Sequence, residues 1–198
     1  MGRIPPPPDA MADLVKMLSY EIIIGLFFGT MLRLIMSVLE NTGSVISLQM
    51  GLSNATILNP TLATQSPLTS ALLSVSAVTL IFITGLDHLL FRSLMALYDA
   101  FPAGGSLMPG DMAQTIIQIM NRSFVIGIEL AMPFLVIGLL MFIALGMMQK
   151  LMPQVQLFLI TMPVQIWGGA ILLSLTFAGI LTIWLQYFNS SLDGFFGR

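Results

Sequence analysis

The sequence predicts an all-α, membrane-associated fold of helical hairpins with about four long, kinked apolar helices. Hydrophobic residues make up 57% of the chain and charged residues only 8%, whereas soluble domains carry about a quarter charged residues. Four apolar segments each reach the length of about 20 residues that a helix needs to cross the hydrocarbon core of a bilayer. None of them alternates with period two, as the strands of a membrane barrel do.

The first apolar segment covers residues 13–39. Four residues spaced by four lie along one ridge of this helix: Glu21, Gly25, Gly29 and Arg33. The two glycines allow a neighbouring helix to approach closely, and charges within membrane helices normally face protein or water. We therefore predict that this ridge is a helix-packing face, with a proton or ion path as the alternative.

A polar connection is predicted at residues 41–66, before the second apolar segment at 67–97. That segment would be about 46 Å long as a straight helix, so it must tilt, break or protrude from the bilayer. It carries Asp87, His88 and Arg92. A lone histidine is more often a hydrogen-bonded structural residue than a ligand, and Asp87 could neutralise a nearby cation.

The third segment covers residues 111–148 and the fourth covers 154–188. Pro133 is predicted to kink the third helix. Arg122 and Glu129 share a face of it but stand about 10 Å apart along the axis, too far to pair directly. We expect each to be buried against a partner elsewhere, as we expect for Asp87 and His88. A structural ion pair is favoured over a proton relay, since intramembrane charges usually pair.

Several classes of function are excluded or disfavoured. The chain has no cysteine, which excludes thiolate metal sites and cysteine nucleophiles, and a single histidine. No GxSxG, HExxH or glycine-rich phosphate loop appears, so the chain is predicted not to be an enzyme and to need no cofactor or metal. An intramembrane serine–histidine dyad using His88 is the hydrolase alternative. A net charge of −2 without a basic stripe argues against nucleic-acid binding.

Two longer motifs resemble the FliR family of flagellar export-gate proteins, which is related to the SctT subunits of injectisomes. ALGMMQKLMPQVQLFLITMP (144–163) matches one family signature through Lys150, Pro153, Gln154, Phe158 and Pro163. ISLQMGLSNATILNP (46–60) matches another through Gln49, Met50, Gly51, Ser53 and Ala55.

The first motif is predicted to be the tip of a helical hairpin. Pro153 should end or bend the helix, while Gln154 and Gln156 need hydrogen-bond partners that lipid does not supply. We therefore expect this tip to be buried among neighbouring subunits; a polar turn at the membrane surface is the alternative.

The resemblance implies a structural and gating subunit of the flagellar, or type III, protein export channel. It implies a bacterial inner-membrane location within the flagellar basal body. The implied partners are FliP-like and FliQ-like gate subunits, an FlhB-like switch subunit, an FlhA-like export subunit, membrane lipid and the unfolded substrates that pass through the channel. The alternative is a small secondary transporter or ion channel that uses Glu129 and Asp87 as relay groups.

The resemblance also places a pore plug in the polar connection. A channel for unfolded chains must otherwise stay closed, and apolar side chains close a pore by dewetting. The residues that this assigns to the plug loop are Met50, Gly51, Leu52, Ser53, Asn54, Ile57 and Leu58. An ordered connector without a gating role is the alternative.

We predict three parts in the chain: a proline-rich segment at 1–12, a single helical export-gate domain at 13–192 and a C-terminal tail at 193–198. The prolines at 5–8 favour a stiff, extended spacer. Members of the family usually begin with a further apolar helix, so the resemblance implies that such a helix is either encoded upstream or absent from this gene product.

Overall fold

The computed structural model of the protein describes residues 11–52, 67–100, 109–151 and 157–196. Five α-helices make up these ranges: α1 Met11–Gln49, α2 Leu68–Ile83, α3 Leu86–Ala100, α4 Pro109–Leu151 and α5 Leu157–Phe196. The described residues contain no strand. The predicted all-α fold of long apolar helices is confirmed.

Helix α1 is longer than predicted. It continues to Gln49, so the polar connection predicted from residue 41 is wrong for residues 41–49. The hydroxyls of Thr42 and Ser44 are accommodated in this extension because each donates to a backbone carbonyl. Thr42 donates to the carbonyl of Val38 over 2.8 Å, and Ser44 donates to the carbonyl of Glu40 over 2.8 Å.

The second apolar segment, which its length predicts to tilt, break or protrude, is broken. The helices α2 and α3 are separated at Thr84 and Gly85, and the pair Leu68–Ile83 and Leu86–Leu97 is bent by 82°. Gly85 has a φ of 70°, and its N–H donates to the carbonyl of Phe82 over 3.3 Å. The break therefore has a local cause in a residue without a Cβ, which adopts this backbone conformation readily.

The two prolines inside α4 and α5 do not interrupt these helices. Pro133 lies within α4 and Pro163 within α5. Helix α5 also continues to Phe196, so residue 193, the predicted start of the tail, is not a helix end.

Within the described ranges, three helices are long and apolar enough to cross a membrane: Met11–Gln49, Gly110–Leu151 and Thr161–Asp193. A fourth is reached if the bent pair α2–α3 counts as one span. Only 11% of the most apolar 18-residue stretch of α5 is buried within the chain. Most of this helix must therefore be covered by lipid or by other polypeptides, because uncovered apolar surface of this size is unfavourable in water.

Backbone contacts group the described helices into two compact units. Unit 1 comprises the described residues of Met1–Met36, Leu80–Ser123 and Gln186–Arg198. Its buried side chains include Ile24, Phe28 and Ile119. A hydrogen bond of 3.0 Å joins the buried hydroxyls of Ser123 and Tyr187, which satisfies two polar groups that burial would otherwise penalise.

Unit 2 comprises the described residues of Ser37–Thr79 and Phe124–Leu185. Its largest fully buried side chains are Trp184, Phe134 and Leu39. Small and polar residues lie between its helices, and they allow the close approaches that hold helices together where lipid removes the hydrophobic driving force. These approaches build the site described next.

Candidate functional site

Helix α1 ends in a tight turn at Gly51. This residue has a φ of 71°, in the left-handed region that favours glycine. Its N–H donates to the carbonyl of Leu48 over 3.1 Å, and the N–H of Leu52 donates to the carbonyl of Ser47 over 3.1 Å. These two bonds form a Schellman motif, which satisfies the last carbonyls of the helix. The turn fixes where the predicted plug loop leaves α1.

We expect Gly51→Ala to destabilise unit 2 by about 1–2 kcal/mol, the usual cost of a left-handed conformation for a residue with a Cβ. Gly51→Asn should cost less, since asparagine visits this region more readily. Gly146→Ala is the matched control, because Gly146 also lies in unit 2 and no described atom lies within 4 Å of a Cβ built there. Denaturant unfolding in detergent, followed by tryptophan fluorescence, measures all three; equal midpoints for Gly51→Ala and Gly146→Ala would contradict the expectation.

Helices α1 and α2 meet in a polar contact that we call the Gly43 clasp, formed by Glu40, Gly43, Ser44, Thr69 and Ser70. The Thr69 hydroxyl donates to the Gly43 carbonyl over 2.5 Å. The Ser70 hydroxyl donates to the Glu40 carbonyl over 2.9 Å, and the hydroxyl oxygens of Ser44 and Ser70 are 3.2 Å apart. A Cβ at Gly43 would collide with backbone atoms of Ser70. The clasp holds the end of α1 against the start of α2.

Helix α4 packs on the same part of α1. The Thr42 hydroxyl, which donates to the Val38 carbonyl, also lies 3.1 Å from the carbonyl oxygen of Gly127. A Cβ at Gly127 would stand 3.4 Å from the carbonyl oxygen of Val38. The two backbones approach closely here because neither side of the contact carries a bulky side chain.

Two further glycines receive the last side chain of α1 and the first side chain after it. A Cβ at Gly138 of α4 would collide with the side chain of Gln49, and a Cβ at Gly169 of α5 would collide with the side chain of Met50. The Gln49 Oε1 atom is buried and has no hydrogen-bond partner among the described residues. Gln49 and Met50 are therefore inserted between the helices of unit 2.

An apolar groove of about 560 Å³ opens beside this turn. Residues from α2 and α5, together with Met50 and Leu52 of the turn after α1, line it, and all but a threonine and a serine are apolar: Met50, Leu52, Leu68, Thr69, Leu72, Ala170, Leu173, Ser174 and Phe177. The segment at 53–66 joins Leu52 to Pro67. Both flanks of the predicted plug loop therefore lie at one groove.

The predicted plug residues are only partly placed. Met50 is buried and Leu52 is half-buried in the groove, and Gly51 forms the turn between them. Ser53, Asn54, Ile57 and Leu58 lie outside the described residues. The gating role of these seven residues stays a prediction.

Within the described part of the chain, the four charges predicted to be buried are not buried. His88, Arg122 and Glu129 are exposed and Asp87 is half-buried. Asp87 and His88 contact each other, with 3.1 Å between the His88 Nδ1 and Asp87 Oδ1 atoms. Helical periodicity determines on which face of a helix a residue lies. Whether another helix of the same chain packs on that face depends on tertiary packing. Burial of these groups by another polypeptide stays a prediction.

Around its glycines, the ridge predicted on α1 contacts no other described part of the chain. Gly25, Gly29 and Arg33 are exposed and Glu21 is half-buried, and no atom lies within 4 Å of a Cβ built at either glycine. The buried face of this part of α1 includes Ile24 instead. Contact of the ridge with another polypeptide stays a prediction.

The hairpin-tip motif extends from the end of α4 to the first turns of α5. Lys150 is exposed in the last turn of α4, Phe158 lies in the first turn of α5 and Pro163 is exposed further along α5. Pro153 and Gln154 lie outside the described residues. The predicted burial of this tip stays a prediction.

Sequence reasoning missed the residues that hold the site together. Gly43, Thr69, Ser70, Gly138 and Gly169 carry no ionisable group and match no catalytic pattern. The recurrence of small residues in apolar helices is the signal that would have pointed to these five positions. Which residues they contact depends on how the helices cross, and the sequence does not give that. No group of histidine, aspartate and glutamate side chains that could hold a metal ion occurs in the described part of the chain.

Comparison with known proteins identifies a family. A model of the family described as bacterial export proteins, family 1, matches residues 1–191. The flagellar biosynthetic protein FliR of Caulobacter vibrioides is 32% identical over 194 residues, which cover 98% of this chain and 77% of the relative.

Two other relatives match this chain over a shorter region. The flagellar biosynthetic protein FliR of Escherichia coli is 28% identical over 155 residues, which cover 78% of this chain and 59% of the relative. The Yop proteins translocation protein T of Yersinia pestis is 28% identical over 155 residues, which cover 77% of this chain and 59% of the relative. The chain thus spans less than two thirds of the length of these two proteins.

Proposed function

Because the chain belongs to the bacterial export proteins, family 1, the family that its two motifs predict, we propose that it is a structural and gating subunit of a flagellar, or type III, protein export channel in the bacterial inner membrane. The family match over residues 1–191 carries the proposal. Relatives named for flagellar biosynthesis and for translocation of Yop proteins support it.

The surface of α5 favours a subunit of an assembly. No charged side chain occurs from Leu157 to Leu192, a stretch of about 54 Å at about 1.5 Å per residue. The hydrocarbon core of a bilayer is only about 30 Å thick. Since little of this helix is buried within the chain, part of its apolar surface requires cover from other polypeptides.

The partners in this proposal are FliP-like and FliQ-like gate subunits, an FlhB-like switch subunit and an FlhA-like export subunit. Unfolded polypeptides pass through the channel that these subunits enclose, within the flagellar basal body. The chain itself performs no covalent chemistry. Its role is to complete the wall of the channel and to contribute to its closure.

Closure is assigned to the segment that begins at Met50 and continues through Leu58. Its described flanks support this assignment. Leu52 and Leu68 line the same apolar groove, and the Gly43 clasp holds α1 and α2 together directly behind them. Apolar side chains presented from such a firmly held base keep a narrow passage dry, which blocks ions.

Co-purification from bacterial membranes tests the assignment. A tagged chain is expressed with FliP-like and FliQ-like subunits and extracted in mild detergent. We expect a large hetero-oligomer that contains all three kinds of subunit. Recovery of this chain alone, as a monomer that transports a small solute after reconstitution, would instead support the transporter alternative.

We expect Gly25→Asp to reduce the amount of this hetero-oligomer by about tenfold or more, since burying an unpaired carboxylate at an apolar interface costs several kcal/mol and every 1.4 kcal/mol is about tenfold. The chain itself leaves open space around Gly25, so its own fold should survive. Ser19→Asp, at an exposed polar position of the same helix, is the control. Normal assembly of the Gly25→Asp variant would contradict the packing role of the ridge.

A further inference from the structure

Glu129 is the single charged residue of α4 between Ser123 and Gln149. Its side chain is exposed in the isolated chain. It makes no ion pair or hydrogen bond among the described residues. A carboxylate with neither a partner nor a polar surrounding in such a helix requires an explanation, because ionised groups within apolar membrane segments are rare and costly.

The exposed positions nearest to Glu129 on its face of α4 are apolar, and the next charged residue on that face is Arg122, two turns before it. Val125 precedes Glu129 by four residues, and Met132 and Val136 follow it by three and seven, so all three share its face. They are 48%, 50% and 54% exposed. An ordinary water-facing helix places polar residues at these offsets. Between residues 125 and 136, this face is therefore apolar with one anionic group in it.

Neither lipid nor bulk water explains that combination. Lipid tails would cover the three apolar side chains but leave the carboxylate without a hydrogen-bond donor. Water would solvate the carboxylate but leave the apolar side chains exposed. A surface that is apolar along its length and carries one cation opposite Glu129 would both bury the three apolar side chains and pair with the carboxylate.

We propose that this face of α4 docks a membrane helix of another subunit that carries a lysine or arginine opposite Glu129. The proposal rests on the proposed function, because it takes this helix to belong to a partner in the export assembly. A helix fits because it satisfies its own backbone in an apolar setting, and its ridges pack on positions such as 125, 129, 132 and 136. The cation forms a charge-assisted hydrogen bond with the carboxylate.

A photo-reactive amino acid in place of Met132, with Glu129 unchanged, tests the docking in the assembled complex. The expected product is a cross-link to an apolar helix of a partner subunit, with a lysine or arginine within one turn of the linked residue. A cross-link to lipid alone, or none from the assembled complex, overturns the proposal. In either case the proposed function stands, because the complex itself has formed; failure of the complex to form counts against both.

Charge reversal supplies the second measurement. Glu129→Lys should reduce the recovered complex by about tenfold or more, because two like charges then meet at the interface. Reversing the cation that the cross-link identifies to glutamate should restore the complex in the double variant. Asp193→Lys, at an exposed position near the end of α5, is the matched control and should assemble normally.

Two results would overturn the ion pair. One is normal assembly of Glu129→Lys, or a complex that the reciprocal reversal fails to restore. The other is a Glu129→Gln variant that assembles fully yet no longer exports, since a proton relay needs an ionisable group and not an interface contact. Assembly that falls in Glu129→Gln by less than in Glu129→Lys supports the proposal, because the amide still accepts a hydrogen bond from the cation.

Discussion

Gly43→Val is expected to destabilise unit 2 by about 3 kcal/mol or more, at the upper end of what overpacking costs. Even the Cβ of the new side chain would collide with backbone atoms of Ser70. A backbone does not rotate away as a side chain does, so α1 and α2 must separate. Separation also breaks the hydrogen bonds from Thr69 to Gly43 and from Ser70 to Glu40.

Denaturant unfolding in detergent measures this effect. Both tryptophans of the chain, Trp167 and Trp184, lie in unit 2, and Trp184 is fully buried, so fluorescence reports on the unit that contains the clasp. Gly146→Val is the matched control, because no atom lies within 4 Å of a Cβ there. The clasp has no structural importance if the two variants unfold at the same denaturant concentration.

Deleting residues 53–58 is expected to make the assembled channel leak ions by about tenfold or more, since every 1.4 kcal/mol removed from a barrier multiplies the rate by about ten. The deletion keeps Leu52 and so preserves the Schellman motif that ends α1. The remaining residues 59–66 extend over about 26 Å at about 3.3 Å each, which should suffice to return to α2 at the same groove.

Ion flux in cells that express the complex, together with recovery of the complex, gives the readout. Combining the deletion with Gly25→Asp is the control: without an assembled channel the leak should disappear. Replacing residues 53–58 by serine and glycine tests whether the side chains, and not the length of the loop, close the pore. An intact complex that leaks no more than the native one would refute the plug assignment.

The sequence predicted the apolar helices well because their signal is local. Length and hydropathy act over one helix, and they placed the long helices. They also predicted that the second segment must tilt, break or protrude, but not that it breaks between α2 and α3. The extension of α1 through residues 41–49 was missed. Its threonines and serines look like a polar connection when read alone, but their hydroxyls bond to carbonyls of α1 itself and, through Thr42, of α4.

The candidate site shows the same division. The motif at 46–60 pointed to Gln49, Met50 and Gly51, and the structure places all three at one turn beside the groove. It did not indicate Gly138 and Gly169, which receive the first two of these residues. The ridge at Gly25 and Gly29 was recognised from its spacing, yet spacing does not specify whether the partner helix belongs to the same chain.

By itself, the sequence determined that the chain is a set of apolar helices suited to a membrane and that it belongs to a family of bacterial export proteins. Composition and short motifs carry this information because each depends only on neighbouring residues. Only the tertiary structure decided where Gly43, Gly138 and Gly169 contact other residues of unit 2, and that the side chain of Glu129 is exposed. Those features arise where residues far apart in the chain come together, and helix crossings, not local pattern, bring them there.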